Sequence, residues 1–189
     1  MRIFVLIILL LLSSGCIPEE PPLRYTDPRV VIKLDAKDFP EGWFRSNIER
    51  DFDWGRSSEF AYDIAFGTSL PELLVSRLIY IRYGNTEAAA EAYSYFQNGV
   101  YYSISNQILD WYIPEEANQL TPTEHKQLMC SEIQLADTTL ICSYWAQYNQ
   151  CLVEFYSHIL PPKMSLQDFI GIIQDKIDPR MEALKECVD

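Results

Sequence analysis

The sequence predicts a single α+β domain, built on a mainly antiparallel sheet covered by two or three helices. Aromatic content is high at 13%, with 12 Tyr and 4 Trp, and aromatic residues favour pleated, half-buried strands. Short alternating or β-branched runs recur between Gly, Pro and Asn punctuation, whereas clean helical spacing occurs in two stretches only. At 189 residues the chain is long enough for one domain with a genuine core and short of what two usually need.

Taken in order, "RVVIKL" (29 to 34) is a β-branched run and predicts a strand, and "EFAYDIAF" (59 to 66) predicts a second. "LLVSRLIYIRY" (73 to 83) is the longest strand candidate, with Val75, Ile79, Ile81 and Tyr83 on one face and Arg77 among them as an exception. Gly84 and Asn85 end it, and Asn85 is placed to cap "TEAAAEAYSYF", whose apolar stripe is Ala89, Ala92, Tyr93 and Phe96. Residues 98 to 127 mix aromatics, polar runs, Pro114 and Pro122, a pattern of irregular structure with a short helix or strand.

The C-terminal part predicts two hairpins and a helix. "MCSEIQLADTTLICSYW" folds about Ala136, and Thr138 to Trp145 then pairs with Cys151 to His158 around Gln147, Tyr148 and Asn149. Cys151, Val153, Phe155 and Ser157 would share one face. Pro161 and Pro162 close that strand, and Ser165 with Asp168 forms a capping box for a helix striped by Leu166, Phe169, Ile170, Ile173 and Ile177. Pro179 should end or kink this helix near Asp178. A strand followed by a helix thus occurs twice, at 73 to 97 and 151 to 178, which hints at a weak internal duplication.

Beyond Cys16 the cysteines number four, Cys130, Cys142, Cys151 and Cys187, and an even set in an exported chain predicts two disulfides. Folding about Ala136 puts Cys130 opposite Cys142, which leaves Cys151 for Cys187. The rival pairing joins Cys142 to Cys151 across the next turn. A metal site is not expected, since no C-x-x-C is present and the histidines are His125 and His158 alone.

The first 26 residues read as an address. Ile3 to Leu12 is a ten-residue apolar run behind Met1 and Arg2, short of the about 20 needed to cross a bilayer and fitting a secretory signal peptide. Ser13, Ser14 and Gly15 lead directly into Cys16, and this stretch resembles the signal of a bacterial lipoprotein, with Ser13 where that family usually carries Leu. The resemblance implies a diacylglyceryl thioether and palmitate-type acylation on Cys16 after removal of residues 1 to 15. An ordinary secreted protein cut near Ser14 is the alternative. Residues 16 to 26, with Pro18, Pro21 and Pro22, predict a semi-rigid tether, and 27 to 189 the single domain. The implied location is outside the cytoplasm, anchored to the cell membrane or the outer membrane. With residues 1 to 15 gone, 14 basic face 27 acidic side chains, a formal −13 that disfavours nucleic acid and anionic lipid heads as partners.

The last 60 or so residues resemble the bodies of small bacterial extracytoplasmic lipoproteins of unassigned activity, in the cysteine-bracketed hairpin, the strand "YNQCLVEFYSHI" and the closing helix. The resemblance implies a sheet covered by helices on one face and brings no catalytic residues.

Catalytic signatures are missing from the sequence: no G-x-S-x-G, no H-E-x-x-H, no P-loop, no Gly-rich dinucleotide turn among 7 glycines. Asp51 and Asp53 open like a calcium loop, but Arg56 and Tyr62 occupy the positions of the turn glycine and the bidentate acid. His158 and Glu154 are roughly 14 Å apart along a strand at about 3.4 Å per residue, too far for a dyad. The expectation is a protein without enzymatic activity or cofactor, acting as an interaction module for an envelope protein or glycan through Trp43, Phe44, Trp54, Trp111 and Tyr112. The alternative is a small-ligand or sensing domain whose apolar pocket, between sheet and helices, those same aromatics line.

Overall fold

The computed structural model describes residues 27 to 51, 58 to 69, 74 to 97, 110 to 120, 125 to 134 and 138 to 184. Cys16, Asp53, Trp54 and Cys187 lie outside these residues, as do the leader, the tether and much of 98 to 127. The described chain forms one six-stranded antiparallel sheet with helices packed against it, in an α+β arrangement. Among the described residues no helix is long and apolar enough to cross a membrane.

In chain order the elements are α1 (Pro28–Val31), β1 (Trp43–Asp51), β2 (Ser58–Thr68), β3 (Val75–Tyr83), α2 (Thr86–Gln97), β4 (Lys126–Gln134), β5 (Thr138–Tyr148), β6 (Cys151–Ile159), α3 (Leu166–Ile172) and α4 (Asp178–Glu182). Strand order across the sheet is β1-β2-β3-β6-β5-β4. Each half is therefore a three-strand meander, and the two meet where β3 pairs antiparallel with β6.

Residues 29 to 34 depart from the strand expected of them. Asp27 caps α1 by accepting from the Arg29 backbone N–H at 2.9 Å, and Pro28 occupies the first turn, where its missing donor costs nothing. This start signal outweighs the β-branched run, and Ile32 and Leu34 still reach the core just beyond the helix.

The central strands are buried on both faces. Leu78 and Tyr80 of β3 join one core cluster with Val153 and Phe155 of β6, while Ile79, Ile81 and Tyr83 join a second with Leu152 and Trp145. The first face is covered by α3, α4 and the turn between them through Phe169, Ile170, Ile173, Ile177 and Met181, and the second by α2 through Ala89, Ala92 and Tyr93. Helices thus lie on both faces, which corrects the expected one-sided cover. The expected duplication does not carry over to the helices. The two-fold axis that exchanges the antiparallel β3 and β6 runs normal to the sheet and would leave both helices on one side, so it does not relate the strand–helix unit 73 to 97 to the unit 151 to 178.

Local signals hold at the helix ends. Asn85 Oδ1 accepts from the Ala88 N–H at 2.8 Å, and Ser165 and Asp168 cap each other reciprocally. Pro179 does not stop the C-terminal helix. A π-helical turn (Ile173–Ile177) joins α3 to α4, absorbing the ring that an uninterrupted α-helix would force against a carbonyl one turn back. The same turn delivers Asp178 to the sheet, where it accepts from the hydroxyls of Tyr144 (2.7 Å) and Tyr148 and from Lys126 Nζ (2.8 Å). Burial, with the carboxylate close by, drives both tyrosines well above their ordinary range, so they remain neutral donors and fasten the helix to β5.

The β5–β6 turn falls at Asn149 and Gln150, later than expected, because Gln147 and Tyr148 continue the strand with buried side chains. Asn149 takes φ 48°, a left-handed conformation that asparagine tolerates. Cys130 and Cys142 are opposed in the β4–β5 register and form a disulfide with Cα atoms 4.1 Å apart. Cys151 is disulfide-bonded as well, which excludes its pairing with Cys142.

Candidate functional site

Two features of the surface and interior carry polar or exposed chemistry that packing alone does not require. The first is a charged band across the α2 face of the sheet. Antiparallel register sets Tyr156 of β6 directly between Arg77 of β3 and Ser143 of β5, with Asp63 of β2 and Glu154 of β6 on the diagonals. Asp63 and Glu154 are fully buried. Arg77 donates Nε and Nη2 to the two oxygens of Asp63, each at 2.6 Å, in a bidentate pair that also raises the guanidinium further above its ordinary range. Arg77 hydrogen-bonds Tyr156 too, whose hydroxyl burial pushes upward against the opposing pull of the cation. Ser143 Oγ donates to Glu154 Oε1 at 3.4 Å. The exception noticed within the β3 stripe is therefore one end of a buried ion pair, and its partner is the acid inside the otherwise apolar stretch 61 to 66 of β2.

His158, at the end of this band, works through its backbone neighbour rather than through Glu154: its Nδ1 accepts from the Val75 N–H at 3.2 Å. Burial holds its pKa below the ordinary 6.5. Because the folded value lies below the unfolded one, this group's contribution to stability is full above about pH 6.5 and is lost as pH falls toward the depressed folded value. Thermal melts of His158→Gln should accordingly fall less steeply than wild type on acidification below about pH 6.5. Parallel curves would show that the ring does not titrate in this way.

The second feature is the segment 110 to 113, which lies beside β4 at one edge of the sheet. Tyr112 donates its N–H to the Cys130 carbonyl (2.9 Å) and accepts the Cys130 N–H (2.8 Å), so the segment is mounted on the residue that the disulfide fixes. Trp111 packs partly against the α2-face core, while Tyr112 is 47% and Ile113 63% exposed. Large apolar side chains held rigid, adjacent and in water are the raw material of a contact surface.

The aromatic residues singled out from the sequence are not assembled into one patch. Trp43 is buried, donates its indole N–H to the Lys163 carbonyl at 2.8 Å and stacks on Phe39. Phe44 is exposed, but on β1, the opposite edge from Tyr112. With five inter-strand steps from β1 to β4 and a sixth to Tyr112 beside it, the separation is roughly 29 Å. Ile113, which no pattern had marked, joins Tyr112 in their place; its exposure follows from the bridge to Cys130, a long-range pairing with no local signal.

A cleft of about 290 Å³ runs between the turn at Ala36–Asp38 and α3, lined in part by Asp38, Asp168 and Lys176. Several of its charges serve the fold: Asp38 meets Arg180 at 3.3 Å and Lys176 at 4.0 Å, and Asp168 serves the helix cap. Among the described residues no cluster of His, Cys, Asp and Glu is arranged to hold a metal ion.

No family model matches the chain, and neither curated proteins nor solved structures match it.

Proposed function

We propose that this protein is an exported, lipid-anchored domain that acts at the cell envelope by binding, without catalysis of its own. The observation that carries the reading is the pair Tyr112 and Ile113, exposed at consecutive positions of a segment bonded to the disulfide-fixed residue Cys130. A rigid apolar surface loses little conformational freedom on association, so more of the contact energy survives as affinity. The lipoprotein-like leader ending at Cys16 supplies the address, and disulfide-bonded cysteines suit an oxidising compartment.

A photo-crosslinking residue in place of Tyr112, in the tethered protein and in intact cells, tests this. One reproducible crosslinked protein is expected, and the same probe in place of Phe44 should not capture it. Equal capture from both edges, or none from position 112, would defeat the reading.

The charged band favours a second reading, a domain that holds a small polar ligand against the α2 face. Asp63 and Glu154, both fully buried on one side of a sheet, are the observation behind it. A co-purified small molecule lost on Arg77 substitution, with no crosslinked protein, would move the assignment there.

A further inference from the structure

The outer edge of the segment 110 to 113 has a definite chemistry. Tyr112 uses both of its backbone groups on Cys130. Successive residues of an extended chain turn their N–H and C=O groups to opposite sides, so those of Ile113 face away from the sheet and offer a pairing edge. On either side of the apolar pair stand Asp110, Glu115 and Glu116, all exposed, and from Asp110 to Gln119 there is no Lys, Arg or His. The bridge of Tyr112 to Cys130 is antiparallel, which brings Asp110 alongside Glu132 of β4, another exposed carboxylate.

We propose that this edge receives an extended segment of another envelope protein in which apolar residues alternate with Lys or Arg. Such a strand would pair its main chain with Ile113, lay its apolar side chains on the Ile113 face, and bring cations to the opposite face, where Asp110 and Glu132 stand beside Tyr112. A second copy of this chain is a poor occupant, since edge-to-edge pairing would set the same acids against one another. The inference rests on the interaction-module reading and names the chemistry of the partner.

The test uses the full-length lipidated protein in detergent micelles and fluorescence anisotropy with peptides of about eight residues, a common strand length. One peptide alternates Lys with Val and Ile, a second carries Glu for Lys, and a third is the Lys peptide N-methylated along one edge. The Lys peptide should bind at least roughly tenfold more tightly than either other. Ile113→Lys, which removes the apolar contact and repels cations, should abolish that preference and Phe44→Lys, at the far edge, should leave it intact. Equal binding of the Glu or N-methylated peptide, no binding of the Lys peptide, or an equal loss on Phe44→Lys would overturn the proposal. The two levels separate cleanly: a partner crosslinked at position 112 through an acidic or helical segment defeats this inference alone, whereas no crosslinked partner defeats the underlying reading.

Discussion

Arg77→Met is expected to cost the domain about 3–5 kcal/mol, the range seen when one partner of a buried ion pair is removed. The direction of the substitution matters. Asp63 is fully buried whereas the Arg77 side chain keeps 24% of its surface exposed, so a stranded guanidinium can turn toward water and a stranded carboxylate cannot. Asp63→Asn should therefore cost less than Arg77→Met. The double variant Asp63→Asn with Arg77→Met should cost much less than the sum of the single changes, because it leaves no charge behind. Urea unfolding of the four proteins checks this. Additive effects would mean that Asp63 and Arg77 do not act as a pair.

Removing the disulfide, as Cys130→Ala with Cys142→Ala, is expected to cost about 3 kcal/mol from loop-closure entropy alone, given a sequence separation of 12. Both sulfurs are buried in the main core, so the two truncations add a packing loss. A fall in Tm of roughly 6–12 °C corresponds to the entropic part at this chain length. The loss should be felt at the 110 to 113 segment as well, since Cys130 carries its only two backbone bonds to the sheet among the described residues. Hydrogen exchange at Tyr112 should quicken in the variant more than exchange at Ile81 or Val153 in the sheet centre. An unchanged Tm would show that the hairpin register alone fixes β4 against β5.

Much of the fold was legible because its signals are local. Capping by Asn85 and by Ser165 with Asp168, the period-2 pattern of β2, β3 and β6, and the opposition of Cys130 and Cys142 about Ala136 each depend on neighbours in sequence. What escaped depends on competition or on distance. Residues 29 to 34 follow the Asp27-Pro28 start signal against their β-branched composition. The side of the sheet that each helix covers is decided by the direction of a connection, which a stripe of apolar residues does not encode. Arg77 was visible as an anomaly, but its partner Asp63 sits in a neighbouring strand, and only the β2–β3 register makes them diagonal neighbours. The site was the least legible part. Trp43 and Tyr112 look alike as aromatic residues in irregular stretches, yet one closes the core beside Phe39 and the other stands in water, and that difference is set by contacts more than a hundred residues away in the first case.

The proposed lipid tether outside the cytoplasm should be visible in the mass of the mature N-terminus. The protein is purified from the membrane fraction of a bacterial host, digested, and its N-terminal peptide measured alongside a Cys16→Ser variant. The expected peptide begins at Cys16 and is heavier than its sequence by a diacylglyceryl group and acyl chain, with Cys16→Ser either unprocessed or released from the membrane. A membrane-bound Cys16→Ser protein of the same mature mass, or an unmodified Cys16 in a chain that keeps Met1, would contradict it.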